Sequence, residues 1–291
     1  MEKDGSLPED ANGLEVAAAS FDLFDAYEGA LRSFFVTVLK SETLRWFSVP
    51  AAGLDHPVFT TVLQRGVRLT NAHVTDIPIS EYVLRAVLDH YQQAGLWRDA
   101  QARSAWDRHQ FREVAGSRWL VIGLGAIGQA VATRARVFGA HVTGCRRNPT
   151  GDEPVDAYVS PAHLLAALPD ADVVVLSLPG ENDAPPLVDA AFLAAMAEGS
   201  MLVNIARGSL IDEAALVEAL DRGRPEGVVL DVTVTEPLPS ESPLWSHPRV
   251  VLTPHNSAGG WKRYDRYDDL LVDNLVRYAR GEPLRNEVSL T

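Results

Sequence analysis

From residue 119 onward the chain repeats one pattern: a short apolar run, a turn, then a stretch with apolar residues at helical spacing. The runs occupy 119–123, 141–145, 157–159, 172–178, 201–205, 227–232 and 249–253, and the helical stretches include 127–138, 161–168, 189–196 and 213–221. Several runs are unbroken Val/Ile/Leu rather than alternating, the pattern of parallel strands covered on both faces. Strands alternating with helices predict an α/β fold built on a doubly wound parallel sheet. Before residue 110 the rhythm changes. Strands are predicted there at 14–20, 44–49 and 67–71, and helices at 26–40 and 58–66, while 79–91 leads out of this first region. Residues 265–280 form a final amphipathic helix, ended by Gly281 and Pro283. The chain thus divides into a smaller domain, 1–95 joined by 265–291, and a second domain, 96–264. Residues 1–13, acidic and rich in small side chains, predict a loose start.

Composition narrows the classes. A chain of 291 residues has room for two modest domains. With 46% hydrophobic and 22% charged residues it can bury a core. A net charge of −13 argues against a nucleic-acid partner, because phosphate binding needs clustered Lys and Arg. No apolar run reaches the ~20 residues of a membrane-spanning helix, and the opening MEKDGSLPED lacks the apolar core of a signal peptide. Cys145 is the only cysteine, so no internal disulfide forms, and a reducing, cytoplasmic setting is expected. The histidines other than His255 show no metal-ligand spacing, so no metal is expected.

The run at 119–123 opens into G-x-G-x-x-G: Gly123, Gly125 and Gly128 with Ala126 and Ile127 between them. Between a strand and a helix, the first glycine permits a tight turn and the second lets a pyrophosphate approach the backbone. The third lets helix and strand pack closely, and the helix N-terminus faces the negative charge. About 20 residues after such a turn a carboxylate usually holds the ribose 2′-hydroxyl of NAD. Here Arg146 stands at that place and Arg147 follows. An arginine cannot accept the hydroxyl's proton but can pair with a 2′-phosphate. NADP is therefore the expected cofactor, with NAD the alternative should the arginines form only a solvated basic corner.

Three more strand ends carry chemistry. VNIARGSLIDEAAL ends a buried run at Arg207, GVVLDVTVTEPLP carries Asp231 and Glu236, and VVLTPHNSAGG places His255. In an open α/β sheet the carboxyl ends of the strands border the ligand crevice. An arginine there holds an anionic substrate, a histidine shuttles a proton, and a glutamate beside the histidine stabilises the imidazolium.

These stretches, with GLGAIGQ, SPLWSHPRVVLTPH and DNLVRYARGEPLRN, resemble the D-isomer-specific 2-hydroxyacid dehydrogenase family in its glyoxylate/hydroxypyruvate reductase-like branch. The likeness runs over residues 44–288. It implies a Rossmann-type dinucleotide-binding domain beside a smaller, flavodoxin-like substrate domain, and a homodimer joined near LWRDAQARSAWDRHQF, residues 96–111. It implies Arg207 as the substrate-orienting arginine, Glu236 as the partner carboxylate and His255 as the acid/base. Asp231 would meet the nicotinamide carboxamide and Pro179 would lie near the adenosine. The turn VPAAGLDHP resembles the family's substrate loop, with Ala52 and Gly53 as amide donors and Ala51 where relatives often carry serine. Against the family pattern the first domain is shortened: the strand and helix that open it in relatives have no counterpart before residue 14.

The expected activity is NADPH-dependent reduction of a small 2-oxo acid to the D-2-hydroxy acid. Two other readings stay open: a dinucleotide-sensing, corepressor-like binding protein on the same fold, and a truncated, inactive homologue.

Overall fold

The computed structural model describes residues 13–25, 28–179 and 184–289. Residues 1–12, for which the sequence predicts a loose start, lie outside the described residues. By its contacts the chain forms two units, residues 1–75 with 261–291, and residues 76–260.

In the first unit the chain runs through β1 (Val16–Ala18), α1 (Phe21–Asp25), α2 (Glu28–Lys40), β2 (Trp46–Ser48), α3 (Pro57–Gln64) and β3 (Arg68–Thr70). The second unit then follows with α4 (Asp76–Tyr91), α5 (Ala94–Ala102), β4 (Arg118–Ile122), α6 (Ala126–Val137), β5 (His141–Cys145) and β6 (Ala157–Val159). It continues through α7 (Leu164–Ala167), β7 (Val173–Leu176), α8 (Ala190–Ala195), β8 (Met201–Asn204), α9 (Glu213–Asp221), β9 (Gly227–Leu230) and β10 (Val250–Leu252). The chain returns to the first unit with α10 (Arg263–Ala279) and β11 (Glu287–Val288).

The sheet of the first unit is ordered β1-β2-β3-β11, with β1 to β3 parallel and β11 antiparallel to β3. The sequence did not announce β11, since two residues are too short for a period. It is pinned where the Arg68 guanidinium makes two hydrogen bonds to Glu287, at 2.7 and 2.8 Å. Phe35, Val38, Phe47, Phe59, Val62 and Leu69 fill the core beneath.

The second unit is the doubly wound sheet expected from the apolar runs. Seven parallel strands lie in the order β10-β9-β8-β7-β4-β5-β6. Every residue of β7, β8 and β9 is buried, which is why those runs are unbroken rather than alternating. Successive side chains go to opposite faces. Val174, Leu176, Leu202 and Leu230 join one core with Phe192 of α8 and Leu216 of α9. Val173, Val175, Val203 and Val229 join the other, with Val83 and Val87 of α4 and Val131 and Ala135 of α6. Helix α4 thus packs into the second unit, which begins at Asp76, whereas the sequence reading carried the first domain to residue 95. Its apolar stripe predicts burial but not the side on which it is buried.

The glycine turn joins β4 to α6. Gly123 takes a positive φ of 98°, and a Cβ there would lie 2.7 Å from the backbone of Ser177 and Leu178. A Cβ on Gly128 would lie 1.9 Å from the Gly123 carbonyl oxygen. Gly125 differs: its φ is −74° and an added Cβ meets nothing within 4 Å. Two glycines are therefore demanded by packing and the middle one is not. Gly128→Ala is expected to cost about 2 kcal/mol through backbone displacement, lowering Tm by roughly 4–8 °C in a unit of this size. Gly125→Ala is expected to cost less than about 1 kcal/mol, the difference between glycine and alanine at a helix N-cap. Calorimetric melting of the two variants checks both; equal destabilisation would show that the turn does not divide its glycines in this way.

Candidate active site

Parallel strands leave their carboxyl ends on one sheet edge, and the ends of β4, β5, β7, β8, β9 and β10 carry the residues in question. At the end of β4, Ser177 braces the glycine turn by donating to the Gly123 carbonyl at 2.7 Å. Helix α6 begins with Gly125 as N-cap and no side-chain cap. The amides of its first turn, from Ala126, Ile127 and Gly128, have no acceptor within the helix. This end of the helix offers N–H donors and a partial positive charge to an anion, beside the open face of Gly125.

At the end of β5 the two arginines part. Arg146 Nη1 donates to Glu153 Oε1 at 2.8 Å and to the Leu124 carbonyl at 3.3 Å, so this guanidinium is anchored beside the glycine turn. Arg147 lines a cavity of about 340 Å³ together with Pro179, Leu178, Leu187 and Ser209. Arg147 and Pro179, both expected near a cofactor, therefore border one space.

The ends of β8, β9 and β10 are locked to one another. Asn204, fully buried at the end of β8, accepts from the Ala206 amide at 3.0 Å and donates to the Arg207 carbonyl at 2.9 Å. Arg207 Nη1 donates to the Ala206 carbonyl at 2.7 Å. The next residue, Gly208, lies so close to the loop after β9 that a Cβ would stand 1.9 Å from the Thr233 carbonyl carbon. That loop carries Glu236. Its Oε1 accepts the Thr233 amide at 3.1 Å and its Oε2 accepts from His255 Nδ1 at 2.8 Å. A carboxylate can only accept, so Nδ1 holds a proton and Nε2 is the nitrogen left to exchange one.

Asp231 gathers the His255 loop. It is 1% exposed, and its carboxylate accepts the Thr253 hydroxyl at 2.6 Å, the Asn256 amide at 2.8 Å and the Ser257 amide at 3.0 Å. Since the Thr253 proton goes to Asp231, Tyr82 donates to the Thr253 hydroxyl at 2.7 Å. Burial pushes the Tyr82 phenol up, which keeps it a donor. His255 adopts a left-handed φ of 51°, uncommon outside glycine, and its amide donates to the Asp231 carbonyl at 2.7 Å. Beside the Glu236–His255 pair opens a cavity of about 510 Å³ with Leu238, Trp245, Leu252 and Pro254 as apolar walls.

The structure thus joins Asp231, Glu236 and His255 in one hydrogen-bonded group and presses the Arg207 loop against it. Ala52 and Gly53 lie in the first unit, in the turn between β2 and α3. There Asn71 Nδ2 donates to the Ala52 carbonyl at 3.0 Å and fixes that peptide. Sequence reasoning missed Ser177, Asn204 and Glu153, which act on backbone or on another side chain. The signal for Glu153 was present: Thr150-x-x-Glu153 has the spacing at which a glutamate folds back on a threonine amide. Among the described residues no group of His, Cys, Asp and Glu could hold a metal ion, and no helix is long and apolar enough to cross a membrane.

Comparison with known proteins places the chain among similar sequences and folds. The family described as D-isomer specific 2-hydroxyacid dehydrogenase, NAD binding domain, matches residues 84–257. The D-3-phosphoglycerate dehydrogenase of Mycobacterium tuberculosis is 35% identical over 251 residues, which is 82% of this chain and 46% of that protein. The chain spans about half the length of the curated relatives it matches first. A D-isomer specific 2-hydroxyacid dehydrogenase from Xanthobacter autotrophicus Py2, solved with NADPH and MES, superposes with a TM-score of 0.78 at 29% identity, covering 99% of this chain and 88% of that one. The NADPH-dependent glyoxylate/hydroxypyruvate reductase of Sinorhizobium meliloti, solved with NADP and sulfate, gives 0.77 at 26% identity, covering 97% and 86%. Matched over more than half of its length, with its strand-end residues joined as described, the chain belongs to the D-isomer specific 2-hydroxyacid dehydrogenase family.

Proposed function

We propose that this protein reduces a small 2-oxo acid to the D-2-hydroxy acid with NADPH, in the manner of a glyoxylate/hydroxypyruvate reductase. The observation that carries this reading is the Glu236–His255 hydrogen bond of 2.8 Å, held at adjacent strand ends against the loop of Arg207. A bound NADPH supplies the hydride. Arg207 pairs with the substrate carboxylate. Glu236 fixes the His255 tautomer, so that Nε2 gives its proton to the oxygen of the former carbonyl. Asp231 anchors the His255 loop and, as the family resemblance implies, meets the carboxamide of the nicotinamide. Ala52 and Gly53 are proposed as amide donors to the substrate carboxylate on the same ground.

The residues fit a dinucleotide. Gly125 is a glycine that the fold does not require, and its open face is where an approaching pyrophosphate would need space. The cavity shared by Arg147 and Pro179 offers apolar walls to an adenine and a cation at its rim. Arginines at the end of β5 favour a 2′-phosphate, and two solved relatives carry NADPH or NADP. NAD is the alternative cofactor.

We also propose a homodimer. In residues 96–111 Trp97 packs on His109 and Phe111 within the chain, with ring centroids 4.7 and 5.7 Å apart. Trp106 is 90% exposed, a large apolar side chain of the kind favoured in interface cores.

Three measurements test these proposals. A panel of glyoxylate, hydroxypyruvate, pyruvate and bulkier 2-oxo acids, assayed with NADPH and NADH, is expected to show turnover with a small acid. His255→Ala should lower that turnover at least ~100-fold with cofactor affinity nearly unchanged. Binding of NADPH without turnover on any acid would instead support the dinucleotide sensor. Replacing Arg146 and Arg147 together by Ser removes charge-assisted contacts of ~1.5–3 kcal/mol each. NADPH affinity should then fall at least ~10-fold while NADH holds; a wild-type protein that binds both equally at low salt would overturn the NADPH assignment. Light scattering at micromolar concentration is expected to give twice the chain mass, and a monomeric mass would refute the dimer.

A further inference from the structure

The stretch after β5 is exposed from Arg147 to Asp152, and then the side chain of Glu153 is only 1% exposed. A buried carboxylate on a surface loop must be satisfied in place. Its Oε1 accepts Arg146 Nη1 at 2.8 Å and the Thr150 amide at 3.0 Å. Its Oε2 accepts the Gly151 amide at 3.0 Å and the Tyr158 hydroxyl at 2.7 Å, with the Thr150 amide also within 3.2 Å. Four donors fill the roughly four lone-pair sites of a carboxylate, so nothing is left for a ribose hydroxyl. The Thr150 amide first, then the Tyr158 hydroxyl and the Gly151 amide, hold this carboxyl far below the usual range. It is therefore charged wherever the protein works.

Arg146 is the one cation in that set, and its other contact is the Leu124 carbonyl inside the glycine turn. Glutamate and carbonyl together occupy Nη1. The guanidinium is a rigid planar fork, so fixing one corner fixes the direction of the rest, and the side chain keeps 36% of its surface exposed. An untethered arginine would surrender rotamer freedom on meeting a phosphate, whereas this one has already surrendered it.

We infer that Glu153 is a positioning residue for cofactor choice: it presets the Arg146 guanidinium beside the glycine turn, ready for a 2′-phosphate. The inference rests on the NADPH reading above. Its rival is that Glu153, as a negative charge, screens Arg146 and weakens the hold on the phosphate. The two differ in sign.

The test is titration of NADPH and NADH by nicotinamide fluorescence against the full chain as wild type, Glu153→Gln, Glu153→Asp, Arg146→Gln and the Glu153→Gln/Arg146→Gln pair. Positioning predicts that Glu153→Gln weakens NADPH by about tenfold and leaves NADH within about twofold. It predicts the same direction for Glu153→Asp, which keeps the charge but withdraws the oxygens, and that variant serves if Glu153→Gln does not fold. The double variant should lose no more NADPH affinity than Arg146→Gln alone, because the glutamate acts through the arginine. Unchanged or tighter NADPH binding by Glu153→Gln, an equal loss of both cofactors, or additive losses in the double variant would each overturn the inference while a wild-type NADPH preference stands. A wild type without that preference removes the NADPH reading itself, and the inference with it.

Discussion

Seven strands that run in one direction leave every carboxyl end on the same sheet edge, and the chemistry of this chain depends on that parity. Residues 123, 207, 236 and 255 are far apart in sequence, yet each follows a strand of one sheet. Parallel strands need crossovers, and the crossovers cover both faces with helices. Burial of β7, β8 and β9 on both faces is therefore more than a stability device. It forces polar, chemically capable residues out of the strands and into the loops at their ends, where side chains from successive crossovers meet.

Meeting at an edge does not by itself make a group of loops rigid. Here buried polar groups tie one loop to the next. Asn204 holds the backbone on either side of Arg207, and Asp231 collects a hydroxyl and two amides from the His255 loop. A buried carboxylate with fewer partners would be costly, and its cost is offset only when all of these donors are in place. That interdependence also explains how His255 keeps a left-handed backbone: its amide is bound to the Asp231 carbonyl while the side chain of Asp231 fixes the residues that follow.

The sequence made some of this legible and concealed the rest for physical reasons. Buried parallel strands write unbroken apolar runs, which is how β7, β8 and β9 could be read, while the more exposed β5, β6 and β10 were legible as short apolar stretches in the same strand–helix alternation. The G-x-G-x-x-G spacing disclosed the turn but not that Gly123 and Gly128 answer to packing while Gly125 does not. That distinction lies in Ser177 and in the Gly123 carbonyl, neither of which the spacing names. Helix α4 could be seen as a helix, but an apolar stripe looks the same whichever sheet it covers. Arg207, Glu236 and His255 stood out because they are ionisable residues just past strand ends. Ser177, Asn204 and Glu153 did not, because they serve backbone groups and other side chains, and such contacts carry no period.

One local device links the two halves of the candidate site. In Thr233-x-x-Glu236 the glutamate folds back on the threonine amide with Oε1 and holds His255 with Oε2. In Thr150-x-x-Glu153 a glutamate again takes the amide of the threonine three residues before it and holds Arg146. A carboxylate fixed by its own turn loses little further entropy when it orients a second group. The device suits a loop that must be exposed to ligand yet definite in geometry, because the backbone contact is local and survives movement elsewhere. Its two uses differ in burial: Glu236 stays 40% exposed beside His255, and Glu153 is closed off beneath the Arg146 guanidinium. Exposure matches the partner each carboxylate holds: a carboxylate beside an ionisable imidazole can stay in contact with solvent. One that supports a permanent cation can be sealed among fixed donors.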